Sequence, residues 1–403
     1  MSNTVPEGWK VRSIGDVVTL QYGKSPKEVM TEDGQYPVIG TGGVTGYASS
    51  YLYDGCTTVI GRKGTINKPS YVEGKFWAID TTYFCSGYKA AEPKWFYYSL
   101  NSFDLSKYNE ASGVPSLGRD TLNAILLLTP PLPEQQKIAT ILSSVDDVIE
   151  KTRAQIDKLK DLKTGMMQEL LTKGIGSGGV PHSEFKDSPV GRIPVSWNVV
   201  ELGEIAKQVK PGPFGSSLTK AMYVEKGYKV YGQEQVISGD FKLGDYYIDE
   251  AKYDELAAFK VASGDILISL VGTFGQVAVV PEAFEAGIIN PRLLKIRFPS
   301  IKMDAEYSAQ QLRSDFVLNQ LKQLQQGGTM GVLSATTVKP VKLIVPPLEE
   351  QKVIGNAVHS IDSVISTKLD ELRSVQKLKK SLMQDLLTGK VRVNTDQRES
   401  VVA

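Results

Sequence analysis

The chain has 403 residues, more than one compact domain holds at roughly 100–200 residues each, so two to four domains are expected. Hydrophobic residues make up 41% and charged residues 23%, the composition of a soluble folded chain and not of a disordered one. The 46 Lys and Arg nearly cancel the 45 Asp and Glu, so any surface for nucleic acid must be local and not a bulk excess of positive charge.

From the N-terminus, Met1 to Glu7 lacks the basic head and apolar run of a secretory leader. The first strand-like signals follow, punctuated by Gly-rich polar loops. Gly23-Lys24-Ser25 resembles the end of a phosphate-binding loop, but Val18 stands where that loop needs glycine. Tyr36 to Tyr47 holds Thr41-Gly42-Gly43 between apolar stretches, where backbone amides can approach phosphates closely. Thr57 to Ile66 reads as a strand that ends by presenting Arg62 and Lys63 between two glycines. Glu92 to Leu100 reads as a helix, and Ser112-Gly113 as a polar loop before the module ends. Cys56 and Cys85 have no CxxC spacing, so a reducing cytoplasm is the expected location.

Pro133 and Glu134 then open a helix that ends at Thr172-Lys173-Gly174. Ile138, Leu142, Val145, Ile149, Thr152, Ile156, Leu159, Lys163, Met166 and Leu170 recur at alternating three- and four-residue steps, the spacing of a coiled-coil seam. About 38 residues at 1.5 Å each give a rod on the order of 57 Å, too long to bury its stripe against one module. Gly174 to Pro181 reads as a flexible, structureless linker.

The second half repeats the first. Pro130-Pro131-Leu132-Pro133-Glu134-Gln135 returns as Pro346-Pro347-Leu348-Glu349-Glu350-Gln351, and about 17 of 44 positions match at a constant shift of 216. Pro6, Trp9 and Gly15 recur as Pro194, Trp197 and Gly203. The second module carries Lys210, Phe214, Ser216, Ser217 and Lys220 in one loop, and Ile266 to Val280 reads as two strands with a turn. That apolar stretch is broken by Ser269, Gly272 and Gln276, so it does not make a membrane span. Ala305 to Leu324 reads as helical. Gln233, Gln235, Asn290 and Arg292 supply amides and a guanidinium, the groups that pair bidentately with base edges. Gln326 and Thr329 precede the second long helix much as Ser112 precedes the first.

The expected fold is therefore α+β: two similar mixed modules separated by a long antiparallel two-helix coiled coil, related by an approximate two-fold axis, with the modules at opposite ends of a rod. The expected boundaries are 1–132 and 194–347 for the modules, 133–173 and 348–390 for the long helices, 174–193 for the linker and 391–403 for a tail. His182 and His359 are expected to be surface groups, and no nucleophile, metal-ligand or nucleotide-binding pattern is complete in the sequence.

This layout resembles the DNA-specificity subunit of type I restriction–modification systems. The resemblance is carried by Pro6 to Trp9, Ile60 to Thr65, the two Pro-Pro-Leu boundaries, Gly272-Thr273, Asn290-Pro291-Arg292 and Leu170-Leu171-Thr172. It implies that each module recognises one half of a split, asymmetric site on double-stranded DNA, and that the helices act as a ruler for the unread spacer. It also implies docking of two copies of a methylation subunit, with motor-nuclease subunits as a further partner, and no membrane. The chain itself would carry no catalytic residue and bind no cofactor. S-adenosylmethionine would belong to the methylation subunit, and ATP and Mg to the motor-nuclease subunit. The alternative is a coiled-coil adaptor joining protein partners without reading DNA. Residues 1–133 hold 12 basic and 12 acidic groups, and residues 194–347 hold 16 of each, so weak, salt-sensitive DNA binding is expected alone and specific binding in complex.

Overall fold

The computed structural model describes residues 5–176, 179–270, 275–325 and 334–395. The chain divides into two compact units, one of residues 1–155 with 369–403 and the other of residues 156–368.

In the first unit, Ser13 and Asp16 cap each other across the first turn of the short helix Ile14–Val17. That helix sits between strand Lys10–Ser13, which pairs antiparallel with Leu126–Thr129, and strand Thr19–Tyr22. A four-stranded antiparallel sheet follows in the order Thr19–Tyr22, Thr82–Ser86, Thr57–Gly61, Ser70–Val72. A second sheet runs Gly43–Ala48, Tyr36–Gly40, Lys75–Ala78, Tyr53–Asp54, with one parallel pair that sets Ile39 opposite Ala78. Helix Pro93–Asn101 starts on the Glu92 carboxylate and drives Trp95, Phe96 and Tyr98 into the core.

The second unit repeats this plan. Strand Asn198–Glu201 pairs with Lys342–Val345. The four-stranded sheet runs Gln208–Pro211, Leu293–Arg297, Ile266–Ser269, Val277–Val279. The other sheet keeps three strands, Tyr247–Ile248, Tyr228–Tyr231 and Gly287–Ile289. Register matches as well: Tyr22 lies opposite Tyr83 and Pro211 opposite Leu294, while Val59 lies opposite Phe84 and Leu267 opposite Lys295. The stretch Ala305 to Leu324 is helical as expected, in two helices, Ala305–Arg313 and Asp315–Gln325, because Ser314 is extended and caps the second.

The long helices are Leu132–Thr172 and Leu348–Leu387. In the first unit, Leu386 and Leu387 from the end of the second helix pack with Trp9, Ile138 and Leu142 at the start of the first. In the second unit, Leu171 from the end of the first helix packs with Trp197 and Ile354 at the start of the second. The pairing in each unit is therefore antiparallel, and the seam residues Ile138, Leu142, Ile149, Thr152, Ile156, Ile354, Val358 and Leu386 are buried. The glycine stops have the required left-handed backbone, with φ of +70° at both Gly174 and Gly389.

Each unit is fastened by the same polar hub. The Trp9 indole donates to Glu134 at 3.0 Å, and the Trp197 indole donates to Glu350 at 2.9 Å. Gln135 donates to the Pro130 and Ala90 carbonyls and accepts from the Glu92 amide. Gln351 does the same with Pro346, Lys302 and Asp304. Both glutamates stand in the first turn of their helix, and their carboxylates are buried tethers between helix and module. Only the last partner differs. Glu134 receives a fork from Arg392 at 2.7 and 2.9 Å, whereas Glu350 receives the Ile175 and Gly176 amides and the His182 ring.

This corrects two expectations. The start of the linker is not a structureless tether, because the Ile175 and Gly176 amides are spent on Glu350. His182 is no surface group, its side chain being 19% exposed and 2.9 Å from Glu350.

Candidate nucleic-acid interface

In the first unit, the expected binding residues converge on loops at one end of the sheets. The glycine after Tyr22 lets strand Thr19–Tyr22 run against the turn at Ile79, where a Cβ on Gly23 would lie 2.0 Å from the Ile79 carbonyl. Lys24 follows it, exposed, with its backbone held by the Ala78 carbonyl and the Trp77 indole. Thr41 and Gly42 form the tight turn between strands Tyr36–Gly40 and Gly43–Ala48, and Gly43 closes it at φ +116°. The Thr41 hydroxyl comes within 3.7 Å of a Cβ position on Gly64, which brings that turn beside Arg62-Lys63-Gly64. The Gly64 amide donates to Pro115 and the Leu117 amide to Arg62, so the loop carrying Ser112 joins the same cluster. Lys63 and Ser112 are exposed. Arg62 donates to the Asp80 carbonyl at 3.3 Å.

The second unit builds its cluster at equivalent places. Gly212 repeats the close approach, with a Cβ position 1.9 Å from the Asn290 carbonyl. The Asn290 side chain then accepts from the Arg292 amide at 2.9 Å and fixes the turn. Lys220, Gln233, Asn290 and Arg292 line one cavity of about 490 Å³ together with Tyr223, Glu234 and Tyr246. Phe214 is 66% exposed, and Ser216 and Ser217 lie exposed in the short turn after it. Where the first unit has a two-residue turn at Thr41-Gly42, the second inserts helix Gln233–Ser238.

Two expected residues leave the set. Gln235 is fully buried; its carbonyl accepts from the Gly232 amide and its amide donates to Leu243. That side chain caps the helix and has nothing left for a base edge. Lys210 is not among the residues lining that cavity, and its ammonium lies 5.1 Å from the Phe259 ring. Gln326 and Thr329, like the turn at Gly272-Thr273, lie outside the described residues.

Tyr22 and Arg119, which the sequence did not single out, stand in the same cluster as Arg62. The Arg62 and Arg119 guanidiniums lie 5.3 and 5.1 Å from the centre of the Tyr22 ring. No local pattern marks residues separated by nearly a hundred positions. Among the described residues no His, Cys, Asp and Glu cluster could hold a metal ion, and no helix is long and apolar enough to cross a membrane.

Fold and loops together define a two-module recognition protein: one framework used twice, presenting different side chains from the same loop ends. The chain belongs to the type I restriction modification DNA specificity domain family, whose profile matches residues 6–161 and 194–376. It is similar to the type I restriction enzyme MjaVIII specificity subunit of Methanocaldococcus jannaschii, at 29% identity over 96% of this chain and 94% of that one. The putative MjaX specificity subunit of the same organism is 32% identical, over 75% of this chain and 69% of its own. The fold is that of the type I restriction–modification S subunit from M. genitalium, with a TM-score of 0.68 and 17% identity, covering 96% of this chain and 98% of that one.

Proposed function

We infer that this chain is the sequence-specific DNA-binding subunit of a type I restriction–modification complex, itself non-catalytic, with each module engaging one half of a split target on double-stranded DNA. The observation that carries the reading is the pair of loop clusters: identical strand register beneath, different polar side chains above. A recognition framework that must accept two unrelated half-sites keeps its strand pairing and varies its loops.

The contact residues are Lys24, Thr41, Gly42, Gly43, Arg62, Lys63 and Ser112 in the first module. In the second they are Phe214, Ser216, Ser217, Lys220, Gln233, Asn290 and Arg292. The long helices dock two copies of a methylation subunit that uses S-adenosylmethionine, and motor-nuclease subunits using ATP and Mg join in systems that cleave. The balanced charge of each module leaves much of the phosphate contact to those partners.

The test is selection from random duplexes by the chain purified with its methylation subunit. One split sequence with a fixed unread spacer is the expected product. Enrichment of no split sequence would reject the reading in favour of a protein adaptor, and nanomolar sequence-selective binding by the isolated chain would contradict the division of labour.

A further inference from the structure

Tyr22 stands at the end of its strand with 44% of its surface exposed. The ring is held in place from behind by Tyr83, whose centroid is 5.1 Å away. The Tyr83 hydroxyl donates to the Leu117 carbonyl, which ties this post to the loop that delivers Arg119. Two guanidiniums share the Tyr22 ring, and they are not equivalent. Arg62 is half-buried and spends a donor on the Asp80 carbonyl. Arg119 is exposed at the first turn of helix Arg119–Ala124 and, among the described residues, its side chain makes no hydrogen bond or ion pair beside its contact with the ring. Its planar fork of five N–H donors is pre-set in orientation and unspent.

The framework does not need this trio. Backbone pairing places Pro211 where Tyr22 stands. The Arg62 amide donates to Thr81 as the Leu270 amide donates to Arg292, so Leu270 replaces Arg62. Gly15 packs against Asn123 as Gly203 packs against Lys339, which sets Ala335 in the place of Arg119. Three positions that meet in space are Tyr, Arg and Arg in one module and Pro, Leu and Ala in the other. The second module folds to the same register without them, so what they add is not stability of the frame.

A cation meant only for phosphate needs reach and no fixed plane, and exposed Lys24 and Lys63 already supply that. A guanidinium is a planar fork whose geometry pairs with O6 and N7 of guanine, and the attraction of a ring about 5 Å away restrains it before DNA arrives. We propose that Arg119, oriented by Tyr22 and flanked by Arg62, reads a guanine in the half-site of the first module. The proposal rests on the DNA-recognition reading above.

The experiment uses the complex with the methylation subunit and compares the motif selected from random duplexes by the unaltered chain, Arg119→Ala, Arg119→Lys and Tyr22→Leu. Arg119 is exposed, so its variants fold, and the lysine keeps the charge. Preference at one G·C pair, confined to one half-site, should fall roughly 5- to 150-fold in all three variants, with every other position unchanged. Even loss of affinity across all positions, with a shallower salt dependence, would make Arg119 a phosphate contact and overturn the proposal. So would an unchanged motif. Failure of the underlying reading looks different, because the unaltered complex would then select no split motif at all.

Discussion

The Lys163 ammonium lies 2.6 Å from the Asp362 carboxylate, and 216 residues on, Lys379 lies 2.6 Å from Asp146. Each pair joins the two long helices inside its own unit, and each carboxylate also takes a bond from that unit's module, Asp362 from Gln310 at 3.2 Å and Asp146 from the Tyr98 hydroxyl at 2.8 Å. With 21% and 31% of the Lys163 and Asp362 side chains exposed, solvent screens much of the attraction. A double-mutant cycle on Lys163→Met and Asp362→Ala, read by denaturant unfolding, should give a coupling of about 1 kcal/mol. Asp362→Ala alone should cost more than Lys163→Met, because it also strands Gln310. Equal single costs with no coupling would mean that the pair is incidental to helix register.

Glu350 gives the second hub a pH dependence. Burial pushes its carboxyl upward, but hydrogen bonds from the Gly176 amide, Trp197, His182 and the Ile175 amide outweigh that and hold it below the ordinary value of 4.5. A depressed carboxyl stabilises the fold above the unfolded value, and this contribution is lost as pH falls through the folded one. Glu350→Gln should cost about 1–3 kcal/mol at pH 7 by leaving buried donors unpaired. Its deficit against the unaltered chain should shrink below about pH 4.5, measured by urea unfolding at several pH values. A deficit that stays constant down to pH 3 would assign the effect to packing.

Much of this was legible because the sequence states it twice. A constant shift of 216 carried the long helices, and the three-and-four spacing marked the face that is buried or half-buried along them. The hubs were not legible: Glu134 and Glu350 read only as part of the repeated helix start, since nothing local shows that Trp9 and Trp197 return to meet them. The loop clusters were half legible. Glycines that allow close backbone approach mark loops from composition alone, so Gly42, Gly43 and the Arg62-Lys63 turn were found. Gln235 was misread because an amide that caps a helix and one that meets a base look alike in sequence. Arg119 was missed because its partner, Tyr22, is brought to it only by the folded loop.

Lys295 shows what the second module accepts in place of an aromatic residue. It occupies the position of Phe84 in the matching strand, is 1% exposed, and donates to the Ala258 and Lys260 carbonyls. Burial lowers its ammonium from 10.5 to about 8, against the opposing pull of Asp265. The unfolded chain therefore holds a proton that the folded chain releases between those values, so stability rises with pH across that window. Relative to Lys295→Met, the unaltered chain should gain about 3 kcal/mol between pH 8 and 10.5. The comparison cancels the titration of tyrosines common to both, and a flat difference would place the ammonium in contact with water.

Lys24 and Lys63 make the complementary case to Arg119. Both are exposed on the first module's loop cluster, on flexible stems, with no ring or carboxylate fixing the ammonium among the described residues. A charge of that kind suits a phosphate, which can be met from many directions and carries no base information. Lys24→Ala and Lys63→Ala should each weaken DNA binding by the assembled complex about equally for matched and mismatched duplexes. Each should also reduce the slope of log affinity against log salt by about 1. The measurement is fluorescence anisotropy over a salt series with two duplexes differing at one base pair of the target. A loss confined to the matched duplex would move the lysine from backbone contact to base reading.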